Sequence, residues 1–294
     1  KIRIAVTGLT GQVVSALIAH PHEDMEIIAL GRPQLDLGNK DAVFSMIKTA
    51  RCDVVINAAA YTKVDNAESE PENVTKINVE GAGFVAEVAA MLDLPLIHLS
   101  TDYVFDGRLD RPYRENDQTG PTGVYGRSKL EGERRIASIH SNHVILRTAW
   151  IYSPYSANFV KTMLRLGETR DEIEVVSDQI GNPTYALDIA DALFVVSRRI
   201  LNDSSVDLRG IFHMVGEGEA TWAEFAAAVF NSARQYGRAE TKVKPISTAD
   251  YPTRAKRPEN SRLNTEKFKN IYNTSLPHWR TSVNDCVQKI LIMK

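Results

Sequence analysis

The chain has 294 residues, with 35 basic and 37 acidic side chains and a formal net charge of −2. That balance argues against a nucleic-acid partner, and no run approaches the roughly 18 apolar residues of a membrane-spanning helix. Cys52 and Cys286 form no ligand-type pair, read as small buried apolar residues, and fit a reducing cytoplasm.

Residues 2–7 read as a strand rather than a secretory signal, and run straight into Gly8-Leu9-Thr10-Gly11-Gln12-Val13-Val14. A helix follows over 12–20. The glycines let backbone approach a pyrophosphate, and the helix start offers unpaired N–H donors. The same turn can also serve simply to join strand and helix. Position 14, where a third glycine would ease helix packing, is Val14. The second strand, 25–30, ends in Leu30-Gly31-Arg32, where an NAD enzyme usually carries an acid for the ribose hydroxyls. Arg32 is either a partner for a 2′-phosphate or a solvated loop residue. The missing acid predicts NADPH as the cofactor, with NADH also accepted. Asp36 and Leu37 are placed to flank the adenine.

A helix over 40–49 and a buried strand over 53–57 come next. The small side chains of Asn57-Ala58-Ala59-Ala60-Tyr61-Thr62 let the chain pass close to a flat cofactor, or pack tightly as helix against sheet. One long helix is expected over 73–92, then a strand over 94–99. Leu99 ends that strand on the cofactor side. His98 inside it reads as a satisfied core histidine. Residues 124–138 form a helix carrying Tyr125 and Lys129, and 143–148 a further strand. This alternation implies βαβ units: an α/β fold with a Rossmann-type parallel sheet and helices on both faces.

After Trp150 the pattern becomes irregular. Helices are expected over 158–166, 184–200, 221–236, 264–271 and 281–292, and short strands over 174–176 and 211–215. Thr221 and Glu224 stand at capping-box spacing. The organisation expected is a Rossmann domain over 1–150, rejoined by the helix 184–200, with 151–294 forming mainly a smaller, discontinuous substrate lobe.

The chemistry concentrates in Ser100-Thr101-Asp102-Tyr103-Val104-Phe105-Asp106-Gly107 and Tyr125-Gly126-Arg127-Ser128-Lys129. Tyr125 and Lys129 are four apart and share a helix face. An adjacent ammonium lowers a phenol's pKa, which makes Tyr125 a general acid for an oxygen that becomes an alkoxide during hydride transfer. Thr101 can hold the same oxygen. Asp102 contacts the substrate or caps a turn. Trp150 is a substrate-side ring or a core aromatic between lobes. Arg257 and Arg262 clamp a pyrophosphate or make surface ion pairs.

Together these segments, with Arg147 to Trp150, Asn158 to Met163, Asp178 to Thr184 and Arg257 to Leu263, resemble the extended short-chain dehydrogenase/reductases. Within them the chain is similar to the branch that reduces dTDP-4-keto-6-deoxy sugars. The resemblance implies that Gly8, Gly11, Gln12 and Val13 hold the cofactor phosphates and that Ala60, Tyr61 and Thr62 line the nicotinamide side. It implies that Lys129 also meets the nicotinamide ribose, that Thr101 and Asp102 contact the sugar, and that Trp150 packs beside it. The implied reaction reduces C4 of dTDP-4-dehydro-6-deoxy-L-mannose to give dTDP-L-rhamnose. Some bacterial relatives dimerise around magnesium held by acids whose positions here are Ala16 and Leu187. No such metal site is expected, and the chain is expected to be a monomer or weak homodimer. Two other readings share the fold: a non-catalytic regulatory subunit, and an epimerase or dehydratase. Intact Thr101, Tyr125 and Lys129 oppose the first. Asp102-Tyr103, in place of an Asp-Glu pair, opposes a dehydratase.

Overall fold

The computed structural model describes residues 1–292. In chain order the first half contains β1 (Ile2–Thr7), α1 (Gln12–Ala19), β2 (Met25–Leu30), α2 (Lys40–Ala50), β3 (Val54–Asn57), α3 (Val64–Ala67) and α4 (Pro71–Thr75). A π-helical turn, Lys76–Gly81, joins α4 to α5 (Ala82–Met91). Then come β4 (Leu96–Thr101), α6 (Val124–Ile139) and β5 (His143–Thr148). The second half holds β6 (Ile151–Tyr152), α7 (Phe159–Leu166), β7 (Glu172–Val176), β8 (Ile180–Gly181), β9 (Thr184–Tyr185) and α8 (Ala186–Asn202). It ends with β10 (Gly210–His213), β11 (Ala220–Thr221), α9 (Trp222–Gln235), β12 (Lys242–Ile246), α10 (Glu266–Tyr272) and α11 (Trp279–Ile292).

Six strands form one parallel sheet in the order β2-β1-β3-β4-β5-β10. Successive side chains of a strand face opposite ways, so the sheet feeds two cores. Ile4 and Val6 of β1 join the layer of α1 and α8, whereas Ala5 joins the layer of α2 and α5 with Val43, Ile47 and Val85. The chain returns to this sheet after residue 150. Helix α8 packs on α1, and β10 forms the edge beside β5. The sheet order reverses between β1 and β3, which opens a crevice at their carboxyl ends.

The rest of the second half pairs its strands as two-stranded ribbons: β7 with β12, β8 with β11, and β6 with β9. Its helix α9 starts on the expected capping box, with Thr221 and Glu224 exchanging side-chain-to-backbone bonds. Two expectations need correction. The single helix over 73–92 is broken by the π turn, which carries Asn78 inward among polar partners. Residues 184–185, expected as helix, are instead the strand β9, because Thr184 and Tyr185 pair with β6.

Candidate active site

The loop between β1 and α1 is shaped for a phosphate. Gly8 has φ +107°, where a side chain would be strained and would press on Val14 Cγ2. Val14 is thus a buried core residue that packs beneath the loop. Gly11 is the N-cap of α1 without a side-chain cap, and a Cβ there would meet only open space. Free N–H donors facing an open cradle fit a dinucleotide's pyrophosphate. Only the backbone of Gln12 remains for that task. Its side chain donates to Ile151 O at 3.2 Å and accepts from the Ser153 hydroxyl at 2.8 Å, tying the loop to the second half of the chain. Val13 is buried, with its backbone in the first turn of α1.

At the end of β2, Arg32 is exposed and makes no side-chain hydrogen bond or ion pair among the described residues. Asp36 is exposed, and its carboxylate accepts from Gly38 N in a local turn. Leu37 differs from expectation. Its side chain is 6% exposed, belongs to the core and packs against Gly81, so it is not free to cover an adenine.

Beyond β3, Ala58, Ala59 and Ala60 run along the crevice and Thr62 is exposed. Tyr61 is held by Asn78, whose side chain accepts from Tyr61 N at 2.8 Å and donates to Tyr61 O at 3.1 Å. Asn78 also donates to Ser128 Oγ, which joins this loop to α6. Burial raises the pKa of the Tyr61 phenol, and the nearby Glu70 carboxylate adds to that.

Helix α6 lies hard against residues 102–104. A Cβ on Gly126 would sit 2.2 Å from Tyr103 O, so only glycine allows the approach. That contact brings Tyr125 and Lys129 to Thr101 at the end of β4. The Tyr103 and Tyr125 rings meet edge-on at 5.6 Å. Thr101 Oγ1 donates to Asp102 Oδ1 at 2.9 Å and accepts from Tyr103 N. Asp102 Oδ2 is buried without a hydrogen bond of its own, and the Ser261 hydroxyl lies close enough to the carboxyl to lower its pKa. Trp150 has φ +47°, a strained position for a bulky residue, and stacks on Trp222 at 3.6 Å. It is therefore a lobe aromatic on one face.

The expected effect of Lys129 on Tyr125 is corrected by the geometry. Lys129 is buried, and its Nζ donates to Leu99 O at 2.7 Å and lies 3.3 Å from His98 Nε2. Its ammonium is turned toward β4. Burial pushes the Tyr125 phenol up, opposed by a hydrogen bond with Thr101. Burial also lowers the Lys129 pKa to about 8, against the pull of Glu133. Helical spacing places the two residues on one face but does not say what the end of the long side chain touches. Residues that sequence reasoning missed are Asn78, Asn57 and Glu133. Their partners lie 14 to 50 residues away, beyond any local pattern.

Burial raises Asp102 from 3.8 to about 7, opposed by the Thr101 hydrogen bond. Between those values the folded chain holds a proton that the unfolded chain has lost. This contribution to stability is complete below the lower value and is lost as pH rises through about 7. Asp102→Asn is expected to abolish that loss. Urea midpoints should show the mutant gaining on the wild type between about pH 4 and pH 7 and levelling off above that. A difference that does not change with pH would refute the assignment.

The substrate-side segments meet on the other flank. Asn260 donates to Leu109 O and Arg111 O, and Ser261 N bonds Ile180 O, so residues 257–263 lie across both the 100–111 loop and β8. Arg262 is a structural residue, paired with Glu219 at 3.1 Å and bonded to Asn260 and Asp110 O. Arg257 is half-buried and paired with Asp65 at 3.1 Å, and its Nε has no partner. Ala16 and Leu187 are buried in the main core, and no cluster of metal-type ligands occurs among the described residues.

Comparison with known proteins adds four findings. Residues 2–292 match the model of the family described as RmlD substrate binding domain. The dTDP-4-dehydrorhamnose reductase of Sinorhizobium fredii is 51% identical over 291 residues, covering 99% of this chain and 98% of that protein. The crystal structure of the dTDP-4-dehydrorhamnose reductase of Bacillus anthracis in complex with NADP superposes with a TM-score of 0.91 at 33% identity, covering 98% of this chain and 99% of that one. A UDP-glucose 4-epimerase of Thermus thermophilus shares the fold at 19% identity, with a TM-score of 0.78 and coverage of 98% and 99%.

Proposed function

The chain belongs to the RmlD substrate binding domain family, and on that premise we propose that it reduces the C4 carbonyl of dTDP-4-dehydro-6-deoxy-L-mannose with NADPH, forming dTDP-L-rhamnose. It is an NADP-dependent oxidoreductase of nucleotide-sugar metabolism. The observation that carries this reading is 51% identity across nearly the whole of both chains, in a protein that brings Thr101, Tyr125 and Lys129 to one place.

When bound, the reduced nicotinamide supplies the hydride. Gly11, Gln12 and Val13 would hold the phosphates through backbone N–H groups, and Gly8, whose own N–H is donated to Leu30 O, would give the backbone room beside them; Ala60, Tyr61 and Thr62 would line the ring's side of the crevice. Tyr125 gives its proton to the C4 oxygen. Burial keeps that phenol protonated until the alkoxide forms beside it. Thr101 orients the oxygen, and the buried Asp102 Oδ2 accepts from a sugar hydroxyl. Lys129, anchored on Leu99 O, reaches the ribose. Arg257 swings from Asp65 to the diphosphate. The two free thiols, Cys52 and Cys286, are buried and suit a cytoplasmic enzyme. No helix among the described residues is long and apolar enough to cross a membrane. The protein works as a monomer or weak homodimer, which light scattering across a concentration series would check.

The test is NADPH oxidation by purified protein. Turnover should depend on added 4-keto sugar nucleotide and yield the 6-deoxy sugar. Tight NADPH binding without turnover would instead favour a regulatory subunit, and exchange at C4 without net oxidation an epimerase.

Cofactor choice gives a separate prediction. A guanidinium at Arg32 attracts a 2′-phosphate, where an acid would repel it. One charge-assisted contact contributes roughly 1.5–3 kcal/mol, about a tenfold to hundredfold preference for NADPH. Arg32→Ala should weaken NADPH binding and leave NADH nearly unaffected. Equal kcat/KM for both cofactors in the wild type would make Arg32 a solvated loop residue.

A further inference from the structure

A polar chain runs beneath the catalytic lysine, and its direction is fixed at one end. The backbone N–H groups of Ala58 and Ala59 both donate to Thr7 Oγ1, each at 3.0 Å. A hydroxyl oxygen has two lone pairs and one proton. Both lone pairs are taken, so the proton goes to Asn57 at 2.7 Å, and the Asn57 atom that receives it is the amide oxygen. The amide nitrogen of Asn57 then faces His98 Nδ1 at 3.0 Å and donates to it. A neutral imidazole that accepts at Nδ1 carries its proton on Nε2. That N–H points at Lys129 Nζ, 3.3 Å away.

His98 is fully buried, and burial, followed by the charges of Lys129 and His143, holds it neutral. An ammonium has three protons and no lone pair, so it gains nothing from the His98 N–H. An amine accepts that N–H and still donates to Leu99 O at 2.7 Å. The opposing charge near Lys129 is Glu133, one turn along α6. Its two oxygens are already held by Ser100 Oγ at 2.5 Å and by Arg147 at 2.9 and 2.7 Å. Tyr125, on the same helix face, is an uncharged phenol.

We infer that His98 is a positioning residue: it presents an N–H to Lys129, with a polarity relayed from the backbone at 58–59 through Thr7 and Asn57, and so makes Lys129 release its proton more readily. The cofactor-facing loop and the catalytic lysine are thereby connected by hydrogen-bond direction. The inference rests on the reductase reading only for the role of Lys129.

The tautomer can be read without substrate. In protein labelled with nitrogen-15 histidine and lysine, long-range proton–nitrogen spectra distinguish Nδ1–H from Nε2–H. The His98 signals are assigned by their loss in His98→Gln, or by Overhauser contacts to Leu99 and Asn57 should that variant not fold. The expected result is a neutral Nε2–H ring throughout the neutral range. Thr7→Val removes the relay and frees Asn57 to turn. An Nδ1–H population should appear, and Lys129 Nζ should titrate higher by on the order of one pH unit. Thr7→Ser keeps the hydroxyl and should restore both properties. An Nδ1–H or imidazolium His98 in the wild type overturns the inference, as does a Thr7→Val protein with unchanged tautomer and lysine titration. An inactive protein with an Nε2–H ring sinks the reductase reading and leaves the relay standing.

Discussion

Tyr125→Phe is expected to bind NADPH like the wild type and to turn over about 10² to 10⁴ times more slowly, the usual cost of losing one positioned acid. The substitution removes the hydroxyl and little else. The ring keeps its edge contact with Tyr103, and the helix keeps its approach at Gly126. Lys129 keeps Leu99 O, so the ribose contact proposed for it should persist. Cofactor binding followed by fluorescence and kcat measured on the same preparation would separate the two effects. Near-normal turnover would remove the phenol from the chemistry.

The second large effect concerns stability. Arg147 and Glu133 form an ion pair in which both side chains are 2% exposed, with two hydrogen bonds between them. Ser100 completes the carboxylate, and the guanidinium lies over the Phe105 ring at 5.1 Å. Removing one partner strands the other charge away from water. Arg147→Leu should therefore cost about 3–5 kcal/mol, read as a lowered urea midpoint. Adding Glu133→Leu removes the stranded carboxylate, so the double variant should be more stable than Arg147→Leu alone. A single variant as stable as the wild type would show that the pair is not what holds β5 to α6.

Much of this architecture is local in origin and therefore legible. Strand-helix alternation through residue 148 and the Thr221–Glu224 box depend on neighbours a few residues apart. What escaped reading depends on distant partners. Strand β12, Lys-Val-Lys-Pro-Ile, looks like a solvated loop until β7 pairs with it from about 70 residues away. The π turn exists where Asn78 must meet both Tyr61 and Ser128, and neither demand is written in the helix's own periodicity. For the candidate site, residue types and spacing point to Thr101, Tyr125 and Lys129. They did not reveal that Lys129 bonds to β4 or that Leu37 is core. His98 was read as a satisfied core histidine. It is buried and partnered, but one of its partners is Lys129.

The late arrival of β10 at the sheet has a consequence for synthesis on the ribosome. Strand β5 ends at Thr148, and its outer neighbour begins at Gly210. At about 5–20 residues per second, the roughly 60 intervening residues take several seconds to emerge. Through that interval the apolar edge Val144-Ile145-Leu146 has no hydrogen-bonding neighbour on one side and can template pairing with another nascent chain. Chains stalled between residues 150 and 209 should therefore aggregate more readily than chains released after residue 213, once the edge strand can dock.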